Sequence, residues 1–160
     1  MEDVVKIASY ICLRYRHRFG KRIDEMKLHK LLYFTQRESI IQTGEPLFGD
    51  CFEAWKYGPV LVSIRQRYQS DTLHEELPAP VKERYQKVFD TVFEMYAGKD
   101  SWSLSSITHG EYAWQEARQR VVPDGQHRLV TDNIRKDAER VKIRRFLYEK
   151  VTQTGIYANN

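Results

Sequence analysis

A cysteine and a histidine, Cys51 and His109, are the side chains in this sequence that can supply a nucleophile and its base. They lie far apart in the chain, as catalytic pairs often do, so the fold would have to join them. Their neighbourhood argues against it. No helix start near Cys51 is on offer to stabilise a thiolate, and the adjacent Asp50 disfavours one. Asp50 and Glu53 are the other candidate pair, for acid–base work or a metal. They differ in parity along an extended segment, which sends their side chains to opposite faces. His29 has Tyr33 four residues on, where a helical metal site would want a second ligand. The chain carries no P-loop, dinucleotide fingerprint, HExxH or nucleophile elbow. The sequence therefore predicts no catalytic residue, no metal and no cofactor.

What remains is an aromatic constellation: Tyr33, Phe52, Trp55, Tyr57 and Trp114, with His109 beside the last in its motif. Phe52 and Ala54 read as core. Trp55, Tyr57 and His109 read as groove residues, with Lys56 at the rim, because aromatics on a fixed surface anchor partner proteins. The three are expected to share one partly exposed patch.

The element that must position them is the stretch from Lys27 to Pro59. Leu28, Leu31, Leu32, Thr35, Ser39 and Ile40 follow helical spacing, and Phe34 and Ile41 widen that face. Asp24 is the cap and Gly44 the stop. A short strand around Phe52 to Trp55 follows. Tyr57-Gly58-Pro59 then turns the chain, with Pro59 predicted to open the next helix.

Other helices are predicted from Val4 to Phe19, after Pro59, from about Val81 to Ala97, from Ser101 or Ser103 to Ile107, from Glu111, and from Thr131 onward. A Pro-Asp-Gly turn at Val121 to Val130 suggests a small hairpin. The fold class is mainly α: a compact single domain over 1–155, of about six helices with a small β-strand or hairpin, and a frayed tail at 156–160.

Composition fits this. The chain has 160 residues, is 41% hydrophobic and 30% charged, and carries a net charge of +4. That is ordinary for a globular domain with a real core. No apolar run reaches membrane-spanning length and no signal peptide is evident, so the expected location is the cytoplasm. Cys12 and Cys51 read as two small buried residues. On the final helix Lys136, Arg140 and Arg144 fall at spacing four and form a basic stripe, the candidate nucleic-acid contact. Acids at Asp132, Asp137, Glu139 and Glu149 interrupt it, and no helix-turn-helix is visible.

The segments KLHKLLYF, TGEPLF and FEAWKYGPV resemble the Panacea antitoxin domain, the SocA-like or GepA-like phage-associated family. A second segment agrees: LSxxTHxxxxW, carried by Leu104, Ser105, Thr108, His109 and Trp114. The matching positions Lys30, Tyr33, Phe52, Gly58, Pro59, Leu104, Thr108 and Trp114 are taken as the structural motif. The family usually shows proline before that tryptophan, whereas this chain has Ala113. The resemblance implies an antitoxin that neutralises a co-encoded toxin by direct binding, or by delivering it to a cellular protease. The alternative is a DNA-binding regulator of a phage or prophage operon.

Overall fold

The computed structural model describes residues 1–120, 122 and 127–153. Among these are eight α-helices and one two-stranded sheet: α1 (Val4–Phe19), α2 (Glu25–Thr43), β1 (Glu53–Trp55), β2 (Gly58–Val60), α3 (Val62–Gln69), α4 (Ala79–Arg84), α5 (Gln86–Val92), α6 (Ser101–His109), α7 (Tyr112–Gln119) and α8 (Thr131–Gln153). A π-helical turn, Phe93–Ala97, continues α5. No helix among the described residues is long and apolar enough to cross a membrane.

The fold is built around α2. The Asp24 carboxylate accepts the Lys27 N–H at 2.8 Å to start it, and Gly44, at φ 82°, ends it with its N–H on the Ile40 carbonyl. Between these caps every residue from Lys27 to Ile40 is buried. Helices α1, α3, α5, α6 and α8, the π turn and β2 all pack against it. The sequence predicts a helix with one inner face, but all its faces are covered. The apolar stripe is real, with Leu28, Leu31, Leu32, Phe34 and Tyr33 in the core. The polar residues that seem to mark an outer face are buried too, and most of them have partners. Gln36 bonds the backbone of Leu47 and Phe48. Arg37 pairs with Glu111 and donates to the Tyr96 hydroxyl at 2.7 Å. Glu38 accepts both Arg145 nitrogens at 2.9 Å.

Three boundaries differ from expectation. Pro59 does not open a helix; it lies in β2, and α3 begins at Val62. The register pairs Ala54 with Pro59. Ala54 turns its N–H the other way, to the His127 carbonyl at 2.7 Å, so proline costs the ladder no bond there. The predicted helix from Val81 to Ala97 is bent at Tyr85, at φ −107° and ψ 13°, which divides α4 from α5. The bend is not a stop, since Tyr85 still bonds Val81 and Phe89 through the backbone. Helix α6 is capped by Asp100, whose carboxylate accepts the Ser103 N–H at 2.9 Å, and not by Ser101 or Ser103.

The predicted turn at Val121 to Val130 falls largely outside the described residues, as does the tail from 154 onward. Arg128, within the described part, bridges to Glu53 on the side of β1 away from β2.

Glu111 precedes α7 but does not cap it, because its carboxylate is turned inward to Arg37. Asp137 of α8 does the capping instead, accepting the N–H groups of Tyr112 at 3.0 Å and Ala113 at 2.9 Å. Proline at 113 would have no N–H to give, so alanine exchanges a rigid helix entry for a hydrogen bond to α8. Asp137→Ala should destabilise the protein by about 1–2 kcal/mol in urea melts. Hydrogen exchange at Tyr112 and Ala113 should rise with it, and unchanged protection would show that the cap is not what holds α7.

Candidate functional site

The two-residue loop Lys56-Tyr57 joins β1 to β2, and three side chains from α6 and α7 fix it. The Ser105 hydroxyl donates to the Tyr57 carbonyl at 2.8 Å. The Trp114 indole N–H donates to the Trp55 carbonyl at 3.0 Å. Arg118 donates to the Ala54 carbonyl at 3.2 Å. The next residue, Gly58, has φ 121°, a conformation open to glycine. Its Cα also lies close over α2 and α6. A Cβ there would sit 2.6 Å from Lys30 Cε, 3.0 Å from Lys30 Nζ and 2.7 Å from the Thr108 hydroxyl. So Lys30, Gly58, Ser105, Thr108 and Trp114 meet at one place: they clamp the hairpin onto the helices.

The clamp leaves aromatic rings outside. Trp55 is 37% exposed, Tyr57 44% and Trp102 62%. Tyr57 meets the Trp102 ring edge-on at 5.3 Å. Trp55 donates its indole N–H to Glu53 at 3.0 Å, and the Arg65 guanidinium lies 5.2 Å from its ring. Lys56 lies 5.4 Å from the Tyr57 ring. Trp102 was not singled out from the sequence, because a tryptophan in the first turn of a short helix has no periodic signal.

Trp55, Lys56 and Tyr57 line a pocket of about 430 Å³ between the hairpin, α2 and α3, together with Glu25, Met26, His29 and Lys30. His109 is not in that lining. Its ring stacks on Trp114 at 4.3 Å, and its Nε2 is buried without a hydrogen bond. It therefore reaches the hairpin through Trp114. Tyr33 and Phe52 are core, in edge-on contact at 5.5 Å, and Leu104 is fully buried. Lys136, Arg140 and Arg144 are exposed on α8, with Arg140 3.9 Å from Asp137.

The other chemical candidates do not assemble. Cys51 is exposed, contrary to the expectation of two buried cysteines, and no hydrogen bond joins it to His109. It precedes β1 and points away from the core that takes Phe52. Cys12 is half-buried, and burial pushes its thiol up to about 11. No cluster of histidine, cysteine and carboxylate groups among the described residues could hold a metal.

Within the pocket, His29 is neutral. Its Nδ1 accepts the Leu61 N–H at 3.3 Å, so the proton sits on Nε2, which faces the Glu25 carboxylate at 3.1 Å. Burial outweighs that carboxylate and lowers its pKa to about 4. Glu25 also accepts Arg65 at 2.8 Å. The Glu25–His29 pair was legible as an i,i+4 spacing, but its partner Arg65 comes from another helix.

Lys30 is 1% exposed, and among the described residues nothing hydrogen-bonds or ion-pairs its ammonium. Burial lowers its pKa to about 8 from the usual 10.5. The unfolded chain therefore holds the proton between those values while the folded chain releases it. Stability is penalised below pH 8 and recovers as the pH rises towards 10.5. Lys30→Met should raise stability at pH 7 by about 1–4 kcal/mol, and the gain should shrink by pH 10. Urea melts at both pH values decide it; a loss of stability at pH 7 would mean the ammonium is satisfied.

The sequence matches the family described as "Antitoxin SocA-like, Panacea domain" over residues 28–115, more than half the chain. The match runs from α2 into α7 and contains Lys30, Gly58, Ser105, Thr108 and Trp114 of the clamp, while Arg118 lies beyond it. "Antitoxin SocA" of Caulobacter vibrioides (strain NA1000 / CB15N) is 47% identical over 38 residues, 24% of this chain and 20% of that protein. The matched part thus spans about a fifth of that relative's length. No solved structure matches the chain.

Proposed function

This chain belongs to the SocA-like Panacea antitoxin family, and from that premise we propose that it neutralises a co-encoded toxin by direct protein–protein contact. The contact is the hairpin face of Trp55, Lys56 and Tyr57, braced from behind by Trp114 and His109. One observation carries this reading. The residues of both family-like segments converge to fix a two-residue loop, and they leave its Tyr57 ring and the adjoining Trp55 ring exposed. A scaffold that held the loop for its own stability would bury those rings.

Exposed Trp and Tyr beside Arg is the composition of interface hot spots. Rings held by a clamped turn lose little entropy when a partner covers them, so more of the contact energy appears as affinity. An inhibitor of this kind blocks its toxin by occupancy and needs no catalytic group of its own. It would work in the cytoplasm, where its toxin is made. Delivery of the bound toxin to a cellular protease would use the same face, and toxin half-life separates the two routes.

Co-expression with the neighbouring toxic gene tests the reading. The wild-type chain should restore growth. Tyr57→Ala should bind the toxin about 30-fold more weakly, as loss of an interface hot spot does, with a nearly unchanged melting temperature. Full rescue and full affinity in Tyr57→Ala, or a collapse of its melting temperature, would remove the hairpin face from the interface.

A further inference from the structure

The pocket beneath the hairpin holds a cation that the fold does not satisfy. Protonated, Lys30 carries three donors, and an ammonium so placed has a strong demand for an acceptor. The other buried cations of α2 have partners within the fold, Arg37 through its two terminal nitrogens but not through Nε. Lys27 donates to the Tyr15 hydroxyl and the Ala97 carbonyl, both at 3.2 Å, and Arg37 is held by Glu111 and Tyr96. Lys30 alone lines an open pocket instead.

The surroundings add to its charge. Lys56 and Arg65 stand at the exposed side of the same pocket, and Glu25 is the one carboxylate in the lining. Glu25 is already engaged by Arg65 at 2.8 Å and faces His29 at 3.1 Å. His29 contributes no charge, for the reasons given above.

We propose that this pocket is a carboxylate-binding site, in which the Lys30 ammonium receives an acidic side chain of the partner protein. The proposal rests on the hairpin face being the toxin contact, which supplies the source of the carboxylate. The walls select that ligand. Met26, Trp55, Tyr57 and Val60 offer apolar surface for a methylene stem. A phosphate would want several converging donors, whereas here the one unpaired buried donor group is a lysine, and Arg65 at the exposed side already gives Nη1 to Glu25. A glutamate or aspartate at the toxin surface would thus seat its stem among the rings and its charge on Lys30. The antitoxin would distinguish its toxin by that acid, since a neutral side chain would leave the ammonium unmet.

The isolated protein can be tested without any toxin. With lysine ε-methylenes ¹³C-labelled, the Lys30 signal is followed by NMR while N-acetyl-glutamate N-methylamide is added. The expected result is saturable binding in the millimolar range, as one side chain can supply. The glutamine analogue and inorganic phosphate should bind at least tenfold more weakly. Affinity for the glutamate probe should fall about tenfold between pH 7 and 9, as Lys30 loses its proton.

The charged and titratable groups facing Lys30 are the capping Asp24, Glu25 and His29 on α2, Lys56 and Tyr57 on the hairpin and Arg65 on α3, while α6 contributes the Thr108 hydroxyl. Lys30→Met keeps all of these and should abolish both the binding and its pH response. If that variant fails to fold, the wild-type pH series and the two control ligands still decide. Equal binding of the glutamine analogue, equal binding of phosphate, or no response at Lys30 would each overturn the proposal. Probe binding by a chain that neutralises no toxin would sink the contact reading and leave the pocket. Neutralisation without probe binding would do the reverse.

Discussion

The burial of α2 on every side is the constraint from which the rest of the structure follows. A helix in that position is usually apolar all round. This one buries Lys27, Lys30, Arg37 and Glu38. Lys27, Arg37 and Glu38 are met from other elements, as they must be, because a buried charge without a partner costs several kcal/mol. The π turn and the helices before and after it provide the answers. Ala97 and Tyr15 meet Lys27, Glu111 and Tyr96 meet Arg37, and Arg145 from the last helix meets Glu38. These bonds span 12 to 107 positions in the chain, so they tie distant elements to one axis. They fix which face of each helix turns inward, which apolar packing alone specifies less sharply.

The hairpin is the surface consequence of that arrangement. Its backbone rests on Lys30 and Thr108 so closely that residue 58 has no room for a side chain. Its carbonyls are taken by Ser105, Trp114 and Arg118. A two-residue loop held at so many backbone points has little freedom left. The rings at its tip then become fixed features of the surface, although no core packing holds them.

Much of this was legible in the sequence. The caps at Asp24 and Gly44 stand where their residue types place them. Phe52 and Ala54 are buried and Trp55 is not, as the alternation of a half-buried strand requires. The mainly α class follows from helical spacing and the family from contiguous motifs. Long-range polar pairing was not legible. Nothing near Asp137 announces that it caps a helix two dozen residues earlier, because the chain must fold before α8 meets α7. For the same reason Glu111 reads as a first-turn acid but serves as a buried counter-ion. Pro59 is ambiguous in sequence because proline suits both a helix start and a strand position that offers no ladder bond. Only the register, Ala54 opposite Pro59, decides between them.

Lys27 and Lys30 sit one turn apart on the same buried helix, and their contrast bears on what the hairpin face is for. The fold supplies acceptors for one and none for the other. A shortage of room does not explain this, since Lys30 lines open space of about 430 Å³. Nor does packing, because methionine would fill the same volume under Gly58 without a charge to desolvate. The ammonium is therefore a feature the free protein bears at a cost in stability. Such a cost is recovered when a partner brings the missing charge, and the recovery then counts towards binding and not towards folding. In the proposed toxin contact, the apolar rings around Lys30 would give the interface its area, and the lysine would decide which surface is admitted to it.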